Sequence, residues 1–261
     1  MVSHSPLIPE FPRRVVGSLE FSVVPLDSAV RLIRDLGSSS REQGISIHFA
    51  NAYNIALADS DMNYRNVMLQ GDFVLTDGTP VVWAGRKLHP DVADSWTRVY
   101  GPDVMAGALQ ASTKEGPKHY LLGGTPETLE LLKSSISQRW PEAKIVGFES
   151  PPFRPATHEE LQARDERILK SGADLVWVGL GTPKQDLEVQ RLSASIPVVA
   201  LAVGAAFDFI AGTTKQAPKW MQQSGTEWLF RLAQEPKRLA KRYLWGNPIF
   251  IKTVVQQALK K

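Results

Sequence analysis

The hydrophobic positions of the chain alternate between two patterns. Short apolar runs that suit buried strands are followed by stretches in which apolar residues recur at helical spacing. The runs predict strands at 21–24, 45–51, 73–75, 118–122, 144–148, 174–179 and 198–203, and the spacing predicts helices that include 26–36 and 159–170. This alternation predicts an α/β fold whose sheet is mainly parallel and flanked by helices.

The stretch Phe73–Trp83 contains the most informative turn. An apolar strand stops at Thr76-Asp77-Gly78, and Pro80 falls in the first turn of the helix that follows. Asp77 is therefore expected just beyond the carboxyl end of a strand, which is where ligands bind in open α/β sheets. A carboxylate there is either a helix N-cap or a catalytic group, and the turn taken alone favours the cap.

Three more strands are predicted to end in glycine-rich turns, at Gly123-Gly124, at Gly179–Gly181 and at Gly204. Glycine lets the backbone approach a ligand closely, and helix N-termini favour anions. Ordinary strand-to-helix turns also need glycine, and for any one turn that is the stronger explanation. Three such turns in one sheet nevertheless predict a phosphate-binding rim.

The composition limits the class of protein. The 261 residues, 43% of them hydrophobic, can bury a substantial core. The absence of cysteine excludes disulfides, thiolate chemistry and cysteine-based zinc sites. Residues 1–14 are polar and proline-rich and lack the apolar region of a signal peptide, and no apolar run is long enough to predict a membrane span. We therefore expect a cytoplasmic protein with a loosely docked N-terminal arm.

The charge is concentrated at the C-terminus. The net charge is +3, but Lys215–Lys261 contains ten Lys and Arg residues against two acidic ones, so the rest of the chain is net acidic. A basic segment of this kind indicates a polyanion or an anionic membrane surface as its partner. Its aromatic residues would suit either a bilayer headgroup layer or a core, and their recurrence beside basic residues favours the membrane. They are Trp220, Trp228, Tyr243 and Trp245.

Three arginines of the basic segment could share one side if its helices fold back: Arg231, Arg238 and Arg242. The planar guanidinium group pairs well with the oxygens of a diphosphate. For any one of them, a solvated basic face is an equally good explanation.

Several functional classes lack their motifs. The chain has no G-x-G-x-x-G after a first strand and no G-x-x-x-x-G-K-[ST], which disfavours a nicotinamide-dependent oxidoreductase and a P-loop protein. It has no H-E-x-x-H, no G-x-S-x-G and no recognised nucleic-acid motif, so we expect no nucleic-acid partner. Asp59-Ser60-Asp61 matches the metal-binding D-x-D motif, but it follows a helical run and is interpreted as a solvated helix end.

An ordered set of short motifs extends from about residue 45 to residue 245. It comprises Asn51-Ala52, Thr76-Asp77-Gly78, Arg98–Asp103, Leu122–Pro126, Gly179–Gln185, Val203–Asp208, Gly212, Ala217-Pro218, Glu227–Arg231, Pro236 and Arg242-Tyr243-Leu244. No single motif is specific, but their order, with Pro183-Lys184-Gln185 and Glu227-Trp228-Leu229-x-Arg231 above all, resembles the WecG/TagA/CpsF family of bacterial glycosyltransferases, of the GT-E type.

The resemblance implies an activity. Members of that family transfer a sugar, with inversion, from a UDP-sugar to a polyprenyl-diphosphate-linked saccharide, without a D-x-D metal site, in the synthesis of teichoic acid, enterobacterial common antigen, capsule or exopolysaccharide. It therefore implies a metal-independent hexosyltransferase with no cofactor, acting at the inner face of the cell membrane. A homo-oligomer would cover apolar surface left by a mobile C-terminal segment.

The resemblance also implies a domain organisation. A flexible arm at 1–14 would precede a Rossmann-like catalytic core at 15–212. A basic helical appendage at 213–261 would dock on the anionic membrane and complete the active site.

Site residues carry over by position. Asp77 resembles the catalytic base that takes the proton of the acceptor hydroxyl, and Arg98 and Gln185 match polar positions of the active site. The expected substrate-binding residues are Asn51, Thr76, Gly123, Gly124, Gly181, Lys184, Asp208, Arg231, Arg238 and Arg242. The arginines among them would hold the diphosphate of the lipid or of the leaving UDP.

The chain departs from the family pattern at several positions. Phe49 replaces a frequent threonine, Tyr53 replaces an acidic or polar residue, and Gln216 replaces an arginine. Asp186 in place of glutamate is a milder change. The first two leave the identity of the sugar open, and the third removes a positive charge near the C-terminal segment.

One alternative from another class stays open at this point. A noncatalytic module that binds a nucleotide sugar or a polyanion would keep the glycine turns and the basic segment but would not need Asp77.

Overall fold

The computed structural model describes residues 10–260. Most of the arm predicted at 1–14 therefore lies outside the described residues. The first elements form an antiparallel hairpin of β1 (Arg13–Val16) and β2 (Leu19–Ser22), so the strand predicted at 21–24 begins and ends about two residues earlier.

The remaining elements alternate as the hydrophobic pattern predicts. The strands are β3 (Ile45–Ala50), β4 (Phe73–Thr76), β5 (Lys118–Gly123), β6 (Lys144–Glu149), β7 (Leu175–Gly179) and β8 (Val199–Ala202). The helices are α1 (Leu26–Ser38), α2 (Ala52–Ser60), α3 (Met62–Leu69), α4 (Thr79–Leu88), α5 (Gly101–Gln110), α6 (Pro126–Arg139), α7 (His158–Ser171), α8 (Lys184–Ser195), α9 (Ala206–Ala211), α10 (Lys219–Gln223), α11 (Glu227–Gln234) and α12 (Pro236–Leu259), with a short 3-10 helix at Pro90–Ser95.

The six strands from β3 to β8 form one mainly parallel sheet in the order β4-β3-β8-β7-β5-β6. Helices flank this sheet, which confirms the predicted α/β fold class. Strands β3, β7 and β8 are almost entirely buried, as expected of parallel strands covered on both faces. Strands β7 and β8 are continuous apolar runs, whereas β3 also buries Ser46 and His48. Strand β6 is only partly buried, which agrees with its place at the edge.

The chain divides into two compact units. Among the described residues, the first unit comprises Glu10, Asp27–His48 and Gly101–Thr214. Its core lies between the sheet and helices α7 and α8, where Tyr120, Ile168, Val178 and Leu192 are buried together.

Among the described residues, the second unit comprises Phe11–Leu26, Phe49–Tyr100 and 215–260. Phe250 of α12 is buried in one apolar cluster with Leu19, Ile55 and Trp96. The Gln257 side chain of α12 also bonds the hairpin, because its Oε1 accepts from Gly17 N at 2.8 Å and its Nε2 donates to Val15 O at 2.9 Å. The C-terminal helix is thus an integral part of the packing of this unit.

The aromatic residues of the basic segment lie mostly at the surface. Trp220, Trp228 and Trp245 are exposed, and Tyr243 packs edge-on against Trp228 with 5.7 Å between ring centroids. No helix among residues 10–260 is long and apolar enough to cross a bilayer.

A buried histidine makes the first unit sensitive to acid. His119 of β5 is 1% exposed; its Nδ1 accepts from Trp177 Nε1 at 3.0 Å, and its Nε2 lies 3.1 Å from Ser112 Oγ. The bond from Trp177 requires an unprotonated Nδ1. Burial lowers the pKa of His119 from 6.5 to about 4, so the folded protein holds this ring neutral.

We therefore expect stability to depend on pH through His119. The unfolded chain binds more protons than the folded one between pH 4 and 6.5, so this contribution is complete above pH 6.5 and is lost as the pH falls towards 4. The loss should reach about 3 kcal/mol of unfolding free energy. Urea unfolding at pH 7 and pH 4.5 measures this difference in unfolding free energy. We expect the difference to be smaller in His119→Gln. The exposed His158 gives the control, since His158→Gln should leave it unchanged.

Candidate functional site

Asp77 occupies the predicted position directly after β4. Its backbone N–H donates to Ala50 O at 2.9 Å, and its carboxylate Oδ2 accepts from Asn51 Nδ2 at 3.2 Å. The side chain is only half-buried, whereas the preceding Thr76 is 3% exposed. The carboxylate therefore has a fixed partner on one side and access to solvent.

The residue at the N-cap of α4 is Gly78, and Pro80 lies in the first turn of that helix. The alternative in which Asp77 is the N-cap residue is therefore wrong. Gly78 also lies against Asn51, since a Cβ at position 78 would be 3.0 Å from the Asn51 Cβ. A glycine at 78 thus lets the two turns that carry Asp77 and Asn51 come together.

Asn51 is held by several hydrogen bonds at the end of β3. It caps α2, with its Oδ1 accepting from Tyr53 N at 3.0 Å, while its own N–H donates to Asn54 Oδ1 at 3.1 Å. The same Oδ1 receives a longer bond from Arg242 Nη2 at 3.4 Å. Because Oδ1 is an acceptor in these contacts, Nδ2 is turned towards Asp77.

Arg98 donates from each of its three guanidinium nitrogens. Nε bonds the backbone carbonyl of Asp77 at 3.0 Å, Nη1 bonds Gln222 Oε1 at 3.1 Å, and Nη2 forms an ion pair with Glu227. The guanidinium also stacks on the Tyr100 ring at 3.8 Å. Arg98 therefore contacts the backbone of the Asp77 turn rather than its carboxylate.

Two arginines of the C-terminal helices lie in the electrostatic surroundings of Asp77. Burial opposes the charge of Arg231, but the acidic groups of Tyr100, Tyr243, Glu227 and Asp77 outweigh it and raise the Arg231 pKa. Burial and the nearby Arg231 both lower the pKa of Arg242. Two guanidinium groups thus lie close enough to repel one another.

Arg242 has spare hydrogen-bonding capacity. Its guanidinium lies over the Tyr53 ring at 4.2 Å, and within the described part of the chain its buried Nε has no hydrogen-bond partner. A half-buried cation with an unused donor is a suitable partner for an anion. Arg238 differs, because it is exposed and pairs with Glu235 at 2.7 Å.

The first unit brings the three glycine turns together. They follow β8, β7 and β5, which are neighbours in the sheet, and Gly123 is in register with Gly179. Gly124, Gly181 and Gly204 all have positive φ angles between 57° and 74°. The three turns that predict a phosphate-binding rim therefore lie at the ends of three adjacent strands.

The Gln185 side chain connects the turn after β7 with the end of β8. It is buried; its Oε1 accepts from Gly181 N at 3.0 Å, and its Nε2 donates to Ala202 O at 3.1 Å. Lys184 is exposed beside Gly181, and Asp208 is half-buried in α9, where its carboxylate accepts from Thr213 Oγ1 at 3.4 Å. The Gln185 side chain thus fixes the backbone of Gly181.

These elements now have a family context. The model of the glycosyltransferase family WecG/TagA/CpsF matches residues 14–261. The chain belongs to this family. The resemblance carried by the short motifs is confirmed over nearly the whole chain, and the protein is a glycosyltransferase that acts on a sugar donor and an acceptor.

The motif set of WecG/TagA/CpsF glycosyltransferases left three neighbours of the site without a role. Glu227, Tyr100 and Gln222 all contact Arg98. Tyr100 lies in the Arg98–Asp103 motif and Glu227 begins the Glu227–Arg231 motif, whereas Gln222 belongs to no motif. Tyr53, a departure from the family pattern, lies between Arg242 and Trp245, with its ring centroid 6.0 Å from that of Trp245.

The Asp59-Ser60-Asp61 stretch lies at the end of α2, as predicted, and α3 begins directly after it. Asp61 is the N-cap of α3 and accepts from Asn63 N and Tyr64 N, and Asp59 accepts from Thr253 Oγ1 at 2.7 Å. Within residues 10–260, no group of three His, Asp or Glu side chains is arranged to hold a metal ion.

The close approach of Gly123 to Gly179 yields a stability prediction. Gly123 has φ +129°, and a Cβ there would lie 2.5 Å from the carbonyl oxygen of Gly179. Gly123→Ala should therefore cost about 2–4 kcal/mol of unfolding free energy in urea. Gly212→Ala is the control: φ is +77° but a Cβ meets open space, so strain alone should cost about 1 kcal/mol. Equal losses for both variants would contradict the close-approach explanation.

Proposed function

We propose that this glycosyltransferase moves a hexose or N-acetylhexosamine from a UDP-sugar to a polyprenyl-diphosphate-linked saccharide, with inversion, in the synthesis of a cell-surface polysaccharide. The observation that carries the proposal is the Asp77 carboxylate beyond the end of β4, oriented by Asn51. An inverting transfer in one step needs such a base beside the acceptor hydroxyl.

In this proposal Asp77 accepts the proton of the acceptor hydroxyl as that oxygen attacks the anomeric carbon. The new glycosidic bond forms while the bond from the anomeric carbon to the UDP oxygen breaks, and the electron pair of that bond leaves with UDP. The hydrogen bond from Asn51 Nδ2 fixes one carboxylate oxygen, Oδ2, and so orients the other.

We assign charge stabilisation to Arg242 and Arg231. Their mutual repulsion and the unused Nε of Arg242 favour a diphosphate, which carries several negative charges. Arg238 is exposed and in this proposal meets the diphosphate from the solvent side.

The glycine turns are proposed to bind the nucleotide phosphates. Gly123, Gly124 and Gly181 have no side chains and precede α6 or α8 by two or three residues, which suits an anion close to the backbone. Thr76, Lys184, Asp208 and Gln185 complete the proposed set, with Gln185 acting on the turn it supports.

The surface of α12 supports a membrane location for the reaction. Leu244, Ile251, Val255 and Leu259 are exposed and recur at spacings of seven, four and four residues, which puts them on one face of the helix. With the basic residues of the same segment, this face suits an anionic bilayer surface such as the inner face of the cell membrane.

The test is a transfer assay with a panel of UDP-sugars and polyprenyl-diphosphate-linked acceptors, with and without EDTA. We expect product from one donor, of inverted anomeric configuration, and an unchanged rate in EDTA. Product that disappears in EDTA would contradict the assignment of charge stabilisation to the arginines. Binding of UDP without product from any donor would favour a noncatalytic binding module.

A further inference from the structure

The ion pair between Arg98 and Glu227 joins the Asp77 turn to the C-terminal helices within the second unit. Both side chains are largely buried, with exposed fractions of 19% and 14%. Arg98 reaches the carbonyl oxygen of Asp77 with Nε and Glu227 with Nη2. A single guanidinium therefore ties the candidate base to the first residue of α11.

Glu227 is itself fully engaged. One carboxylate oxygen accepts from Arg98, and the other accepts from Tyr100 OH at 2.8 Å, while the Tyr100 ring supports the Arg98 guanidinium. This geometry allows Arg98 few alternative positions. It also balances the Arg98 charge, which leaves Arg98 poorly suited to neutralise a diphosphate.

A second tie runs through Gln222. Its Oε1 accepts from Arg98 Nη1, its Nε2 donates to Ala217 O at 2.8 Å, and its carbonyl accepts from Thr79 Oγ1 at 2.9 Å. The residues around α10 and the start of α4 are thus connected to the same guanidinium.

The segment that carries Arg98 is anchored to the end of β4, because Val99 N donates to Thr76 O at 2.7 Å. Asp77 is consequently held through its N–H by Ala50, through its carboxylate by Asn51 and through its carbonyl by Arg98. The Arg98 bond depends on Glu227, a partner more than a hundred residues further along the chain.

We propose that Glu227 is a positioning residue, which holds Arg98 against the Asp77 turn and so fixes the direction of the Asp77 carboxylate. The proposal rests on the proposed function, and it makes Arg98 a positioning residue as well rather than a group that touches substrate. The base would then be correctly oriented only when α11 is docked.

The first test needs no substrate. Hydrogen exchange at the amides of Asp77, Val81, Val82 and Val99 should rise about tenfold or more in Glu227→Gln, because Arg98 loses the charged partner that holds it against the turn. Tyr100→Phe, which removes one bond to Glu227, should give a smaller rise in the same amides. Glu20→Gln is the control, since it breaks an exposed ion pair with Arg13 in the same unit. Unchanged exchange in a folded Glu227→Gln protein would overturn the proposal.

The second test uses transfer kinetics. Glu227→Gln should lower kcat about tenfold or more while the donor KM stays within about twofold, and combining it with Arg98→Lys should add little to the loss. A large rise in donor KM, or an unchanged kcat despite faster exchange, would overturn the positioning role. Faster exchange in the variant together with no transfer by the unaltered protein would instead refute the proposed function and leave the Arg98–Glu227 tie established.

Discussion

Replacing Asp77 by Asn is expected to lower kcat for sugar transfer about a thousandfold while UDP remains bound with nearly unchanged affinity. Asn has the same shape as Asp, and its side-chain oxygen can still accept the hydrogen bond from Asn51 Nδ2. It cannot, however, take a proton from the acceptor hydroxyl at neutral pH. The substitution therefore removes the base and little else.

The matched control is Asp59→Asn, which alters an exposed carboxylate of the Asp59-Ser60-Asp61 stretch. We expect its rate to stay within about twofold of the unaltered protein. Initial rates with a saturating donor measure kcat, and titration calorimetry measures UDP binding. Asp77→Asn with more than a tenth of the original rate would contradict its role as the base, and a collapse in Asp59→Asn would return the D-x-D motif to consideration.

The sheet and its turns could be predicted from local sequence for a physical reason. Parallel strands buried on both faces must be apolar throughout, and a turn with positive φ at the end of a strand selects glycine, so both leave a local record. The position of Asp77 follows from the same rules. The order of the strands does not, because the adjacency of β8, β7 and β5 is set by pairing between distant segments.

The contacts around Asp77 could not be predicted from local sequence either, because they also join residues that are far apart in the chain. Arg98 and Glu227 are 129 residues apart, and neither residue type reveals that its partner is the other. The motif pattern suggested that Arg98 acts in the active site, but its actual contacts are the Asp77 carbonyl, Gln222 and Glu227. The three arginines of the C-terminal segment likewise looked equivalent, whereas Arg238 is exposed and Arg242 is half-buried with a buried Nε.

That difference between the arginines leads to the second large expected effect. Arg242→Met should lower kcat/KM for the lipid-linked acceptor about a hundredfold, because a diphosphate would lose a desolvated guanidinium. A rise in acceptor KM would assign Arg242 to the lipid diphosphate, whereas a fall in kcat at unchanged KM would assign it to the departing UDP. The acceptor used should be a soluble, short-chain one, so that the measured rate does not depend on binding of the protein to a membrane.

We expect Arg242→Met to lose transfer activity without a comparable loss of stability. Methionine preserves much of the apolar stem, its introduction ends the repulsion by Arg231, and the bond that is lost to Asn51 is long at 3.4 Å. We therefore expect Tm within about 3 °C of the unaltered protein. Lys241→Met, which removes the exposed charge next to it on α12, should leave both rate and Tm unchanged. If Arg242→Met instead lost Tm and activity together, Arg242 would be a structural group and the diphosphate would have to be held elsewhere.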